Sequence, residues 1–352
     1  MLPLRTFALI ALFIFSGVLA AFVFGFDLKD TVQPLEYDDE QEGLEDQVVI
    51  KFSHVTSEHT PKGLAARKFA ELVEARTNRT ISVEIYANGS LYNDQDEQQA
   101  LKENRVQMIA PATSKLTSQF PKFQILDLPY AFSSYKEVRK AYEGSIGRTL
   151  LAELHTSEMK GMGFWYNGFK QMTSTTKALL HPADFEQMHF RRMPSPVIER
   201  QFQALDASTS LLPFNKTYQN LNVEFIQGQE NTTSNIYTKK MYETQDHLTV
   251  SNHGYLGYIV LTNETFWKNL SHEQQKIIES SLADTTDWIR RHSIETNDAH
   301  LRELKRTESI SIHYLDKEQQ EIWRHALEPV YIETEKFTGR ELMQELNQIK
   351  DQ

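Results

Sequence analysis

The sequence predicts an α/β fold of two lobes with a long helix spanning both, and three observations carry that reading. Strand-like apolar runs alternate with helix-like segments from Val48 onward. The alternation closes a first set near Tyr166 and starts afresh at Met188. From Ser271 through Ile312 there is no Gly or Pro, which permits one helix of about ten turns, roughly 50 Å long.

At the amino terminus, Arg5 precedes an uncharged run from Phe7 to Phe26 that Asp27, Lys29 and Asp30 end. A stretch of roughly 20 such residues is long enough to cross a bilayer. Residues 1–26 therefore read as a signal peptide or an uncleaved membrane anchor. A cleaved signal would use the small residues near Val18-Leu19-Ala20, yet Phe22, Val23 and Phe24 continue the run beyond that cut. The anchor fits the length better, with Arg5 inside. Either way the body lies outside the cytoplasm. Residues 27–47 are acidic and lack periodicity, as expected of a solvated spacer.

The body opens with a buried strand, Val48 to Ser53. Thr60 caps the next helix with Pro61 at its first position, and Ala65, Phe69, Leu72 and Val73 line one face. Ile81, Val83 and Ile85 alternate in a second strand before the Asn88-Gly89 turn. A strand, helix and strand in that order imply a right-handed unit in a parallel sheet. The pattern continues with a helix through Glu97 to Glu103, a strand Val106 to Pro111, a helix Tyr135 to Leu154 and a strand Gly161 to Tyr166. The second set comprises a strand Met188 to Met193, helices Val197 to Leu205 and Lys216 to Phe225, and strands near Leu248 and Tyr258. Ser271 and Gln274 form a capping box for the long helix. A strand Ser309 to Tyr314 and a capped helix from Asp316 follow it. Residues 48–167 with 256–296 make lobe I, and residues 168–255 with 297–352 make lobe II.

Composition narrows the function. A net charge of -11 leaves no basic stripe to displace counterions, so no nucleic-acid partner is expected. There is no cysteine, which removes disulfides, thiolate metal sites and a Cys nucleophile. No Gly-x-Ser-x-Gly, Gly-x-Gly-x-x-Gly, phosphate-loop or His-Glu-x-x-His pattern occurs. Ser271-His272-Glu273 comes nearest to the last, but Lys276 stands where its second His belongs. His54, His247 and His253 sit in loop-like contexts and read as hydrogen-bonded structural residues. No catalytic residue, metal or cofactor is expected.

Groups that handle small anions are present instead. Phe190-Arg191-Arg192-Met193 puts an arginine at a strand end, and its planar fork suits a carboxylate. Only one of the two arginines faces a pocket, because neighbours on a strand point to opposite faces. Gln227 to Asn231 (Gln-Gly-Gln-Glu-Asn) reads as a turn, and Ser251 to Tyr258 as a polar, Gly- and Tyr-rich segment. Phe214 closes a Leu-Pro-Phe triplet, and Asn167-Gly168-Phe169-Lys170 offers a lysine among apolar neighbours. The first lobe contributes Phe52-Ser53-His54-Val55, Thr60-Pro61-Lys62-Gly63 and Ala110-Pro111-Ala112-Thr113-Ser114-Lys115.

In order and spacing these segments resemble the solute-binding proteins of TRAP (tripartite ATP-independent periplasmic) transporters, and within them the four-carbon dicarboxylate binders. The resemblance runs from Val48 to near Gly339. It implies a two-lobed periplasmic-binding-protein-like fold and no enzyme activity. It assigns Arg191 to a ligand carboxylate, leaving Arg192 at a variable position. Asn231 donates to the same carboxylate, although Gln227 replaces the usual Asp of that motif. Phe214 packs on the ligand, and Lys170 supplies a second cation. Lys62, Ser114 and Tyr255 are candidates for the distal carboxylate or a hydroxyl. The implied ligand is succinate, fumarate or malate, and the implied partner is a membrane permease. The alternative is a ligand-sensing subunit of a membrane dicarboxylate receptor histidine kinase.

Overall fold

A computed structural model describes residues 11–19, 47–154 and 157–350 of the chain. Residues 11–19 are helical (α1) and exposed, and they form part of a unit separate from the body that begins at Val48. The remainder of the expected leader or anchor, and nearly all of the acidic spacer, lie outside the described residues. Among the described residues no helix is long and apolar enough to cross a membrane.

The body holds one mixed sheet. The parallel unit at its start forms as expected. Strand β1 (Val48–Ser53) pairs with β2 (Ile81–Tyr86) in register Val48 to Ile81, and helix α2 (Pro61–Arg76) connects them. The Thr60 side chain accepts from the Gly63 N–H, giving α2 its cap. Strand β3 (Met108–Ile109) follows helix α3 (Glu97–Lys102) and also runs parallel to β1.

Two long strands organise everything else. β4 (Met159–Ser174) and β8 (His247–Asn263) pair antiparallel along almost their whole length. At one end β8 meets β3, and at the other β4 meets β7 (Gly228–Asn231). Strands β5 (His189–Arg192) and β6 (Ser208–Leu211) extend the sheet beyond β7 in parallel, and β9 (Ser311–Tyr314) pairs with β8. The sheet order is β2-β1-β3-β8-β4-β7-β5-β6. The expected separate strands near Gly161, Leu248 and Tyr258 are thus parts of two continuous ones. Their pairing shifts register between Gly161 and Gly163, Tyr166 and Gly168, and Lys170 and Met172. Such bulges bend the strands and break the alternation that sequence reading relies on.

The long helix, α10 (His272–Thr307), has 36 residues and the Ser271–Gln274 capping box. It ends where Glu308 turns left-handed, after the ten turns expected and before the strand that follows. Near its start Arg76 of α2 pairs with Asp284. Further along, Asn297 accepts from Ser234 N at 3.0 Å on helix α8 (Thr233–Thr238). The helix therefore packs on elements of both lobes. The expected single helix Tyr135 to Leu154 is two, α4 (Tyr135–Glu143) and α5 (Ser145–Glu153). Gly144 stands between them with extended backbone, where an added Cβ would run into the Lys140 carbonyl.

The other α-helices of the described body are α6 (Pro196–Ala204), α7 (Thr217–Asn222), α9 (Glu264–Asn269), α11 (Lys317–Thr338), capped by Asp316, and α12 (Arg340–Lys350) at the carboxyl end.

Candidate functional site

A small cavity lies where β5, β7, β8 and the loops after β1, β2 and β3 converge. Val55, Thr56, Lys62, Asp94, Ala112 and Lys115 line it from the first lobe side. Arg191, Met193, Phe214, Asn231, Asn235, Leu256 and Tyr258 complete the wall. Open α/β sheets bind ligands beyond the carboxyl ends of their strands, and Arg191, Asn231 and the segment after β3 occupy such ends.

Arg191 is 2% exposed, and its Nε donates to the Leu212 carbonyl at 3.0 Å. That bond leaves the terminal fork of the guanidinium to the cavity, over the Phe214 ring at 5.9 Å. Burial pushes its pKa down, and the charges of Asp94 and Glu230 push it back up. Arg192 lies on the opposite strand face, where it donates to Thr209 Oγ1 and pairs with Glu199 at 2.9 Å. Strand alternation separates the two as expected.

Asn231 ends β7. Its Oδ1 accepts from the Thr232 N–H at 3.1 Å and from Asn235 Nδ2 at 2.7 Å, so the amide N–H groups are left for a partner. The Gln-Gly-Gln-Glu-Asn segment is thus not a turn: Gly228–Asn231 is a fully buried strand. Its polar side chains find partners on both faces, which is why a polar sequence can sit inside.

Lys62, at the start of α2, is 1% exposed. Its Nζ donates to the Ala110 carbonyl at 2.8 Å and sits 4.2 Å from the Tyr258 ring centroid. Burial pushes its pKa down to about 8. Burial pushes the carboxyl of Glu97 up, while the charges of Lys115 and Lys62 pull it down, and Glu97 in turn favours the charged form of Lys62. Lys115 pairs with Asp94, whose other contact is the Phe214 N–H at 3.1 Å on Oδ2. Burial alone would raise the Asp94 carboxyl, but Lys115 beside it holds it below its usual range.

Four of the seven expected residues therefore share one cavity: Arg191, Asn231, Phe214 and Lys62. Three do not reach it. Lys170 turns away from the wall, and its Nζ lies 2.6 Å from Glu230 Oε1. Gly254 opposite makes room for its stem, since a Cβ there would meet Lys170 Cε at 2.6 Å. Ser114 donates to Asp127 Oδ1 at 2.6 Å, and Tyr255 packs among Tyr135, Tyr142 and Phe169. Sequence reading missed Asp94, Lys115, Asn235 and Tyr258. Lys115 and Tyr258 end segments already marked as anion-handling, whereas Asp94 stands in an aperiodic polar loop with no local signal. His247 and His253 prove to be strand residues of β8 rather than loop residues.

The arrangement can grip an anion. Three cations and one carboxylate on a buried wall leave a net positive charge, and low dielectric strengthens each contact. Among the described residues no three His, Asp or Glu side chains are grouped to hold a metal.

Fold and site together define a receptor for small anions. The chain belongs to the family described as bacterial extracellular solute-binding protein, family 7, which matches residues 52–336. It is a binding protein of that extracellular class and not an enzyme. It is 45% identical over 336 residues to the C4-dicarboxylate-binding protein DctB of Bacillus subtilis, covering 95% of this chain and 96% of that one. A TRAP periplasmic solute binding protein from Shewanella oneidensis, solved with bound succinate, superimposes with a TM-score of 0.84. That pair is 34% identical and covers 86% of this chain and 99% of the other. One from Pseudomonas aeruginosa PAO1 with bound L-malate gives a TM-score of 0.79 at 33% identity, covering 81% and 99%.

Proposed function

We propose that the chain captures C4-dicarboxylates such as succinate, fumarate and malate outside the cytoplasm and presents them to a membrane permease of the TRAP type. The observation that carries this is the cavity wall of Arg191, Lys62 and Lys115 with the Asn231 amide. Arg191 takes one carboxylate through two parallel bonds, Asn231 donates to the same group, and Phe214 packs on the carbon chain. Lys62 and Lys115 face the distal carboxylate. Lys170 acts one step removed, by holding Glu230 and hence the strand that carries Asn231. The lobes divide as 48–167 with 256–296 and 168–255 with 297–352. The divide falls at the Tyr166–Gly168 bulge, which gives the long strands a place to flex on closure. Residues 1–26 tether the body as an uncleaved anchor, with 27–47 as spacer. The relatives named for C4-dicarboxylates, and those solved with succinate and L-malate, support the ligand class.

Thermal-shift screening of mono-, di- and tricarboxylates tests the reading. A ligand at 100 times its Kd stabilises by about 2.7 kcal/mol, so C4-dicarboxylates should raise Tm clearly. A flat response to all of them would end it.

A further inference from the structure

We infer that Asp94 is a specificity-determining residue that accepts the hydroxyl proton of a 2-hydroxy C4-dicarboxylate, so that the cavity favours a malate-type ligand over succinate. The inference rests on the dicarboxylate reading and refines it.

Asp94 is the one acidic side chain among the described residues of the cavity wall. Lys115 balances its charge, but an oxygen of it left without a proton donor is unfavourable beside a dianion. Its Oδ2 is fully used by Lys115 and the Phe214 N–H. Its Oδ1 is buried and accepts no hydrogen bond among the described residues. Holding Lys115 and the Phe214 loop in place therefore explains one oxygen and leaves the other.

A buried acceptor without a donor is costly, and a charged one more so. Succinate and fumarate, ionised, bring no proton to it. A hydroxyl on the carbon next to a carboxylate does, without adding charge. An ammonium in that place would also donate, but Lys62, Lys115 and Arg191 on the same wall oppose a further cation. Asn235 Oδ1 is the other buried oxygen on this wall without a partner. It belongs to a neutral amide beside the Tyr258 phenol and is the weaker acceptor.

Calorimetric titration of the unmodified protein with L-malate, succinate, 2-methoxysuccinate and aspartate tests this without relying on any variant. L-malate should bind about ten- to a hundredfold tighter than succinate, and methylating the hydroxyl should remove that gain. In folded Asp94→Asn the malate-to-succinate ratio should fall to within about threefold. Succinate equal to malate, methoxysuccinate equal to malate, aspartate tighter than malate, or an unchanged ratio in Asp94→Asn would each overturn the assignment while leaving dicarboxylate binding intact. If none of the C4 acids binds, the dicarboxylate reading falls and this inference with it.

Discussion

Lys170 Nζ and Glu230 Oε1 stand 2.6 Å apart with both side chains 1% exposed. Glu230 Oε2 also meets His253 Nε2 at 2.8 Å and accepts from Gln201 Nε2 at 3.0 Å. Burial would raise the Glu230 carboxyl, but Lys170 and His253 hold it well below the usual carboxylate range. The lysine that resembles a second ligand cation is neutralised inside the protein, one strand face away from Asn231. Removing one partner of such a pair strands a buried charge. Lys170→Met should therefore cost about 3–5 kcal/mol in urea unfolding, and adding Glu230→Gln should recover much of it. An unchanged midpoint in Lys170→Met would mean that the pair does not hold the fold.

Arg191 and Arg192 should behave as opposites. Arg191→Lys should weaken succinate binding nearly as badly as Arg191→Ala, because a lysine's point charge cannot replace two parallel bonds. The expected loss is about 2–5 kcal/mol, or roughly 30- to 5,000-fold in Kd. Arg192→Ala, which loses Thr209 and Glu199 on the other face, should change affinity little. Asn231→Ala should fall between, since a neutral donor is lost. Calorimetry with circular dichroism on the folded variants reads the series, and a large loss at Arg192 alone would reverse the assignment.

Affinity should depend on pH through Lys62. Burial lowers its pKa to about 8 in the free protein, and a bound carboxylate raises it by stabilising the ammonium. Protonated lysine is the binding form. Affinity for succinate should then be greatest below about pH 8 and decline above it, by at most about tenfold per pH unit, until the bound-state pKa is reached. Lys62→Met should bind more weakly and lose that slope. Affinity that rises from about pH 7 to about pH 9 would contradict the sign.

The parts of the fold that follow local rules were legible in the sequence. Thr60-Pro61 starts α2, the Ser271–Gln274 box starts α10, and Asp316 starts α11, each where its capping chemistry places it. Arg191, Asn231 and Phe214 were legible because strand alternation lets only one of the adjacent arginines face inward and the order of the motifs selects Arg191 with the other two. The continuity of β4 and β8 was not, because bulges at Gly161–Gly163, Tyr166–Gly168 and Lys170–Met172 break their period. The buried Gly228–Asn231 strand reads as a turn because Gln229 and Glu230 are satisfied by distant partners, Thr173, Lys170 and His253, that no local window contains. The same long-range pairing diverts Lys170 and Ser114 from the cavity. Asp94 gains its place only when its loop meets Lys115 and Phe214, contacts that no short window of sequence contains.

The most direct test of the dicarboxylate clamp compares succinate with butyrate, which has the same carbon count and one carboxylate fewer, by calorimetric titration of the unmodified protein. On the proposed reading Arg191 takes one carboxylate and Lys62 with Lys115 the other, so succinate should bind at least about a hundredfold tighter. Equal affinity for the two acids would contradict the account.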